Sequence, residues 1–218
     1  MENSRHYIIN TLFKKYNLIN PNYLEIGVWS GNTFKYVNSV NKDGVDPGQY
    51  CECTYVNYKM TSDDFFKYHN KKKYDFIFID GLHTAYQVSK DIYNSLASIN
   101  EGGIIMLDDV FPHCKREQEA LDLTKSGAQT GDVWKAVYDN FSIFEEICDE
   151  ILFFKNSERG NLILKIKKNN IKNIVIDESI PTKNLDGWYK GNDKEWVKYD
   201  YDKDFNNYFN LINKYVIM

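Results

Sequence analysis

The most restrictive stretch of this 218-residue chain is Tyr74-Asp75-Phe76-Ile77-Phe78-Ile79-Asp80, almost unbroken in apolar and aromatic residues. A strand with one wet face alternates polar and apolar side chains, so a continuous run predicts a strand covered on both faces. Thr84 to Ile99 follows, with Val88, Ile92, Leu96 and Ile99 on one helical stripe. Glu101-Gly102-Gly103 then reads as a turn, and Ile104 to Asp108 as a second buried strand. Upstream, Tyr23 to Gly27 reads as a strand entering a glycine turn. Asn32 to Val40 has helical spacing through Phe34, Val37 and Val40, and Gly44-Val45-Asp46 is a short strand before Pro47-Gly48. Thr54 to Met60 is expected as a further strand, with a helix starting at Ser62 or Asp63 as N-cap. Such alternation predicts an α/β fold with a Rossmann-like, doubly wound, mostly parallel sheet.

After Asp109 the pattern loosens. Arg116 to Lys125 and Asp132 to Phe141 look helical, separated by the loop 126–131. Ile151 to Lys155 and Asn161 to Lys167 suggest an antiparallel last strand pair around a Ser-Glu-Arg-Gly turn, and a helix is expected near Phe205 to Tyr215. The length suits one domain, 1–218, with a core at about 20–167 and a polar C-terminal appendage at 168–218.

Charge and cysteine content narrow the class further. A net charge of −4 argues against nucleic acid or an anionic membrane surface as partner, and Lys71-Lys72-Lys73 reads as a solvated loop. Cys51, Cys53, Cys114 and Cys148 show no CxxC pair and no matched Cys/His spacing, so reduced thiols are expected. No apolar run approaches the roughly 18 residues of a membrane span, and Met1 to Lys15 lacks a signal-peptide core. A cytoplasmic protein is the expectation, with the aromatic C-terminal segment available for a homo-oligomer contact.

Open α/β sheets bind ligands at the carboxyl ends of their strands. Acids stand at or near four such ends here: Glu25, Asp46, Asp80 and the pair Asp108-Asp109. In Glu25-Ile26-Gly27-Val28-Trp29-Ser30-Gly31, the glycines Gly27 and Gly31 allow a sharp bend and leave room for a nucleoside cofactor. Asp46 lies nineteen residues beyond Gly27, close to the spacing at which an acid accepts ribose hydroxyls.

With these residues the chain resembles class I S-adenosylmethionine (SAM) dependent methyltransferases, whose first motif has the ExGxxxG form in place of a dinucleotide GxGxxG. The likeness spans about 20–167; Trp29 stands where many members have another glycine. The resemblance places Glu25 and Gly27 near the methionine moiety, Asp46 on the ribose, and Ser62 and Asp63 beside the adenine. Gly31 and Asp80 complete the expected cofactor set.

Asp80-Gly81-Leu82-His83 together with Asp108-Asp109 is similar to the metal-dependent O-methyltransferases of sugars and macrolides. That likeness implies Mg²⁺ on Asp80, Asp108 and Asp109, with Asp80 and His83 catalytic and His83 the base, acting on a small sugar or glycoside hydroxyl. The chemistry is consistent: a neutral hydroxyl is a poor nucleophile, and a bound Mg²⁺ lowers its pKa while a histidine takes the proton. Carboxylates converging from adjacent strands also need a cation or a shared proton between them. Related macrolide enzymes carry Glu at the position of Asp108. Phe111 to Val133 is expected as a lid, with His113, Arg116, Asp132 and Trp134 as acceptor contacts. For Trp134, which could stack on a sugar face, a core tryptophan on a helix stripe is the commoner case. Two further readings stay open: a metal-free O- or N-methyltransferase, and a non-catalytic or NAD-binding Rossmann module.

Overall fold

The computed structural model describes residues 4–48, 54–69, 71–118, 130–155, 159–168 and 201–217. Among the described residues, six strands form one sheet: β1 (Tyr23–Ile26), β2 (Lys42–Val45), β3 (Tyr74–Ile79), β4 (Ile99–Leu107), β5 (Cys148–Phe154) and β6 (Asn161–Ile166). Their order is β2-β1-β3-β4-β6-β5. The first four run parallel, whereas β6 is antiparallel to both β4 and β5. This is the Rossmann-like sheet of the class I methyltransferase fold, with the expected antiparallel final pair.

Side chains along the strands sort by the period of two. Leu24, Ile26, Ile77, Ile79, Ile105 and Leu107 pack with α3 (Ala85–Ser98) and α4 (Val133–Ile147). Tyr23, Phe76, Phe78, Ile104 and Met106 pack with Ile8, Ile9, Leu12 and Phe13 of α1 (Arg5–Lys15). Burial on both faces accounts for the unbroken apolar runs. The stripe Val88, Ile92, Leu96 of α3 is buried as its spacing predicts, and Thr84 caps that helix by accepting from the Gln87 N–H. The C-terminal helix α5 (Asn206–Ile212) is docked into the first core through Tyr208 and Ile212, both fully buried. The Tyr208 hydroxyl donates to the Val110 carbonyl at 2.7 Å.

Several expectations about local structure are corrected. Residues 32–40 do not form a helix; only a 3₁₀ turn, Phe34–Tyr36, is present, and Val40 is exposed. Backbone groups that a helix would pair internally are taken from outside: Lys42 Nζ donates to the carbonyls of Phe34 and Val37, and Asn10 bonds the Tyr36 carbonyl and the Asn38 N–H. Thr54 to Met60 is not a strand either. It makes one bridge, Val45 to Tyr58, because Asn57 Oδ1 takes the Gly44 N–H that a continuing ladder would use. Helix α2 (Ser62–Tyr68) is capped by Thr61, whose hydroxyl accepts from the Asp64 N–H, so Ser62 and Asp63 sit in its first turn. The Glu101-Gly103 turn lies within β4, where the pairing jumps from Tyr74–Ile99 to Phe76–Ile104. A 3₁₀ turn, Lys115–Gln118, begins where Arg116 to Lys125 was expected helical; the rest of that helix, the middle of the lid at 119–129, Cys51 and Cys53 lie outside the described residues. Cys114 and Cys148 are free thiols. Among the described residues no helix is long and apolar enough to cross a membrane.

Candidate active site

The parallel register brings four strand ends level. Ile26 lies opposite both Val45 and Ile79, and Ile79 opposite Leu107, so Gly27, Asp46, Asp80 and Asp108 follow along one edge. Glu25 does not reach that edge. It pairs with Gly44 and Phe78, two positions inside, and is buried. Its carboxyl accepts from the Tyr23 hydroxyl at 2.5 Å. Burial pushes its pKa up to about 8, against the opposing pull of Tyr23 and Lys42.

Gly27 has φ +87, and a Cβ there would lie 1.9 Å from the Asp80 carbonyl oxygen. The glycine is therefore required by the backbone of β3 before any cofactor is considered, which changes the reason given from sequence alone. Trp29 also adopts a left-handed conformation, φ +47, at the position where a glycine is common in the resembling family. Its N–H donates to Asp46 Oδ2 at 2.9 Å, and the Gly48 N–H donates to Oδ1 at 2.7 Å. Asp46 thereby fixes the two loops that follow β1 and β2, with lone pairs left on both oxygens. Ser62 and Asp63 face α3 instead: Gln87 Nε2 lies within 3.1 Å of Ser62 Oγ, Asp63 Oδ1 and Asp91 Oδ1, and Lys90 pairs with Asp63.

Asp80, His83 and Asp109 converge one strand over. His83 Nε2 is 3.4 Å from Asp80 Oδ1 and 3.1 Å from Asp109 Oδ2. Asp109 holds φ +56, a reversal that turns its carboxylate back toward His83 directly after β4. Burial raises its pKa to about 6, with His83 opposing. Asp108 is buried and points elsewhere: Oδ1 accepts from Asn161 Nδ2 at 2.6 Å, and Oδ2 accepts from Arg5 Nε. Burial, followed by the charges of Asp80 and Asp109, pushes Asp108 well above the usual carboxylate range, and Arg5 opposes the shift.

Donor atoms of Asp80, His83 and Asp109 all lie within 4.8 Å of one another. A six-coordinate ion at about 2.1 Å from its ligands places neighbouring donors about 3 Å apart. The 3.1 and 3.4 Å separations are from His83 Nε2 and leave that nitrogen in reach of a proton beside the acids, while the carboxylates of Asp80 and Asp109, with oxygens within 4.8 Å of each other, supply the hard donors that a divalent cation such as Mg²⁺ requires. The residues present fit such an ion.

The turn carrying His83 is buttressed by residues that sequence reasoning assigned otherwise. Gly131, at φ +56, packs so tightly on His83 that a Cβ would lie 1.8 Å from its carbonyl oxygen. Asp132, expected to meet the acceptor, is 3% exposed and accepts the Ala85 N–H at 2.7 Å. Trp134 is a core residue at 0% exposure, its Nε1 donating to Gln118 Oε1, so stacking on a sugar is ruled out in this conformation. His113 and Arg116 are exposed. Arg5 and Asn161 were missed. They are 103 and 53 residues from Asp108, and no local pattern marks either.

Residues 51–110 match the family model described as a methyltransferase domain. No curated protein matches the chain. Among solved structures, the chain is similar to the O-methyltransferase from Bacillus cereus in complex with S-adenosylhomocysteine (SAH). The identity is 17% and the TM-score 0.52, over 75% of this chain and 80% of that one. It is also similar to a candidate O-methyltransferase from Klebsiella pneumoniae, at 12% identity and TM-score 0.51, over 75% and 80%. Cofactor-bound Rv0187 from MTB aligns at 14% identity and TM-score 0.50, over 73% and 79%. Residues 51–110 thus carry the match to a methyltransferase domain, and the strand order is that of the class I methyltransferase fold.

Proposed function

We propose that the chain transfers the SAM methyl group to a hydroxyl of a small, sugar-like acceptor, with a divalent cation, Mg²⁺, at the acidic cluster and His83 as general base. The observation that carries this reading is the contact of Gly27 with the Asp80 carbonyl. It joins the bend expected to hold SAM directly to the strand end where Asp80, His83 and Asp109 meet. Asp46, level with Gly27, is the acceptor for the ribose hydroxyls, and Gly31 is the third left-handed residue of the bend after Gly27 and Trp29. Glu25 acts from inside the sheet, shaping the methionine end through Tyr23 and the Phe34 backbone rather than by touching the ligand. Ser62 and Asp63, in the first turn of α2, remain candidates for the adenine edge.

Asp80, Asp109 and Asp108 would hold the cation, which when bound lowers the pKa of an acceptor hydroxyl. His83 takes the hydroxyl proton, and the carboxylates of Asp80 and Asp109 stabilise the imidazolium that forms. Positioning of the hydroxyl against the sulfonium methyl supplies the remainder by proximity. The sugar-like acceptor rests on the likeness of the DxxH and Asp-Asp pattern to sugar O-methyltransferases.

Methyl transfer from labelled SAM to a panel of hydroxylated glycosides tests the reading. Exhaustive chelation is expected to abolish turnover while SAH affinity is retained; unchanged turnover refutes the metal. Equal, severe losses in His83→Ala and Asp109→Ala support the metal–base unit. Loss in His83→Ala alone favours a metal-free route through the same histidine.

A further inference from the structure

Arg5 opens α1, on the opposite face of the sheet from α3 and α4. Its Nε donates to Asp108 Oδ2 and lies 3.7 Å from Asp80 Oδ2. With Asn161 on Oδ1, both oxygens of Asp108 carry a donor, whereas Asp80 and Asp109 each turn an oxygen toward His83. Asp108 is thus the member of the acidic set that Arg5 holds most closely, with Asp80 at the longer 3.7 Å. A divalent ion coordinated by all three acids would stand against the Arg5 guanidinium at a buried site, where like charges are poorly screened.

The helix can release this contact without losing its packing. The buried residues of α1 are Ile8, Ile9, Leu12 and Phe13, all beyond the first three positions, and Ser4 makes no side-chain capping bond. The Arg5 side chain keeps 27% exposure, so water is at hand to take up the guanidinium.

We propose that Arg5 is a built-in competitor for the divalent cation, holding Asp108 until the ion binds and so setting both ion affinity and the docking of the first turn of α1. This rests on the metal reading above. The two events oppose one another with equal strength in both directions, as linked equilibria must: ion binding loosens the Arg5 turn, and a docked Arg5 weakens the ion.

The test uses the full chain and Mn²⁺ alone, with free ion read by electron paramagnetic resonance. Arg5→Met is expected to tighten Mn²⁺ binding by about tenfold, within the usual range of such couplings, and Arg5→Lys by less. The gain should vanish in an Asp108→Asn background. In the wild-type chain, saturation with Mn²⁺ should raise amide hydrogen exchange at residues 5–8 while residues 9–13 stay protected, a readout independent of any variant's folding. Equal or weaker Mn²⁺ binding in Arg5→Met, or unchanged exchange on saturation, overturns the competitor role while leaving the metal site intact. Absence of Mn²⁺ binding at millimolar concentration in both wild type and Arg5→Met overturns the metal reading itself, and this proposal with it.

Discussion

The carboxyl of Glu25 lies inside the sheet face covered by α1, where water cannot solvate a charge, and its strongest partner is the Tyr23 hydroxyl. A carboxyl in such a place keeps its proton to higher pH than it would in the unfolded chain. Its pKa rises from 4.5 to about 8, chiefly through burial. The folded state therefore binds the proton more tightly than the unfolded state. The associated stability is fully present below pH 4.5 and is lost as pH climbs through 8. Burial raises Asp108 and Asp109 too, so the wild-type profile alone does not isolate Glu25. Glu25→Gln does, because the amide keeps an acceptor for Tyr23 and cannot ionise. Urea midpoints should show the variant close to wild type at pH 4.5 and more stable at pH 8.5 by about 2 kcal/mol or more. A difference that stays flat between those two pH values would mean that Glu25 does not titrate with folding.

Helix α3 shows how an element delivers the proposed base. His83 sits two residues before its first turn; Thr84 caps it, and Asp132 from the start of α4 accepts the Ala85 N–H while Gly131 presses on the His83 carbonyl. Asp132→Ala leaves a buried N–H without its partner and frees the turn that orients His83. Methyl transfer should fall about tenfold or more while SAH affinity is unchanged, since small displacements of a base carry large rate costs. A parallel loss of SAH binding would show instead that the variant disturbs the whole strand edge. Local pattern revealed α3, β1 and β3 because a 3.6-residue stripe and unbroken apolar runs are written in consecutive residues. It failed at 32–40 and 54–60, where Lys42, Asn10 and Asn57 decide the outcome by claiming backbone groups from a distance. The same limit hid Arg5 and Asn161 from the candidate site and made Asp132 look like an acceptor contact. Asp80, His83 and Asp109 were legible, because a strand end fixes where its next residues must lie.

At the scale of the molecule, the chain leaves β1 toward β2 on one side and returns to β3 on the other. Connections departing in opposite directions open a crevice between the carboxyl ends of β1 and β3, where open α/β sheets take their ligands. Gly27 and Asp80 face each other at that crevice, and Asp46 borders it. A dinucleotide needs two nucleotide subsites astride such a point and a GxGxxG bend beneath its pyrophosphate. Here the bend reads Gly27-Val28-Trp29-Ser30-Gly31, with a tryptophan at the position of closest approach, so a single adenosyl ligand is the better fit. A ligand that binds only the folded state raises apparent stability, by about 2.7 kcal/mol at a hundredfold excess over its Kd. For a domain of this size that corresponds to a rise in Tm of about 5–10 °C. SAM and SAH should each produce it, with or without chelator, because Asp46 and the glycine bend lie outside the acidic cluster. NAD should produce none. A rise with NAD and none with SAH would place a dinucleotide module on this sheet, and the acids along its edge would then need a different chemistry.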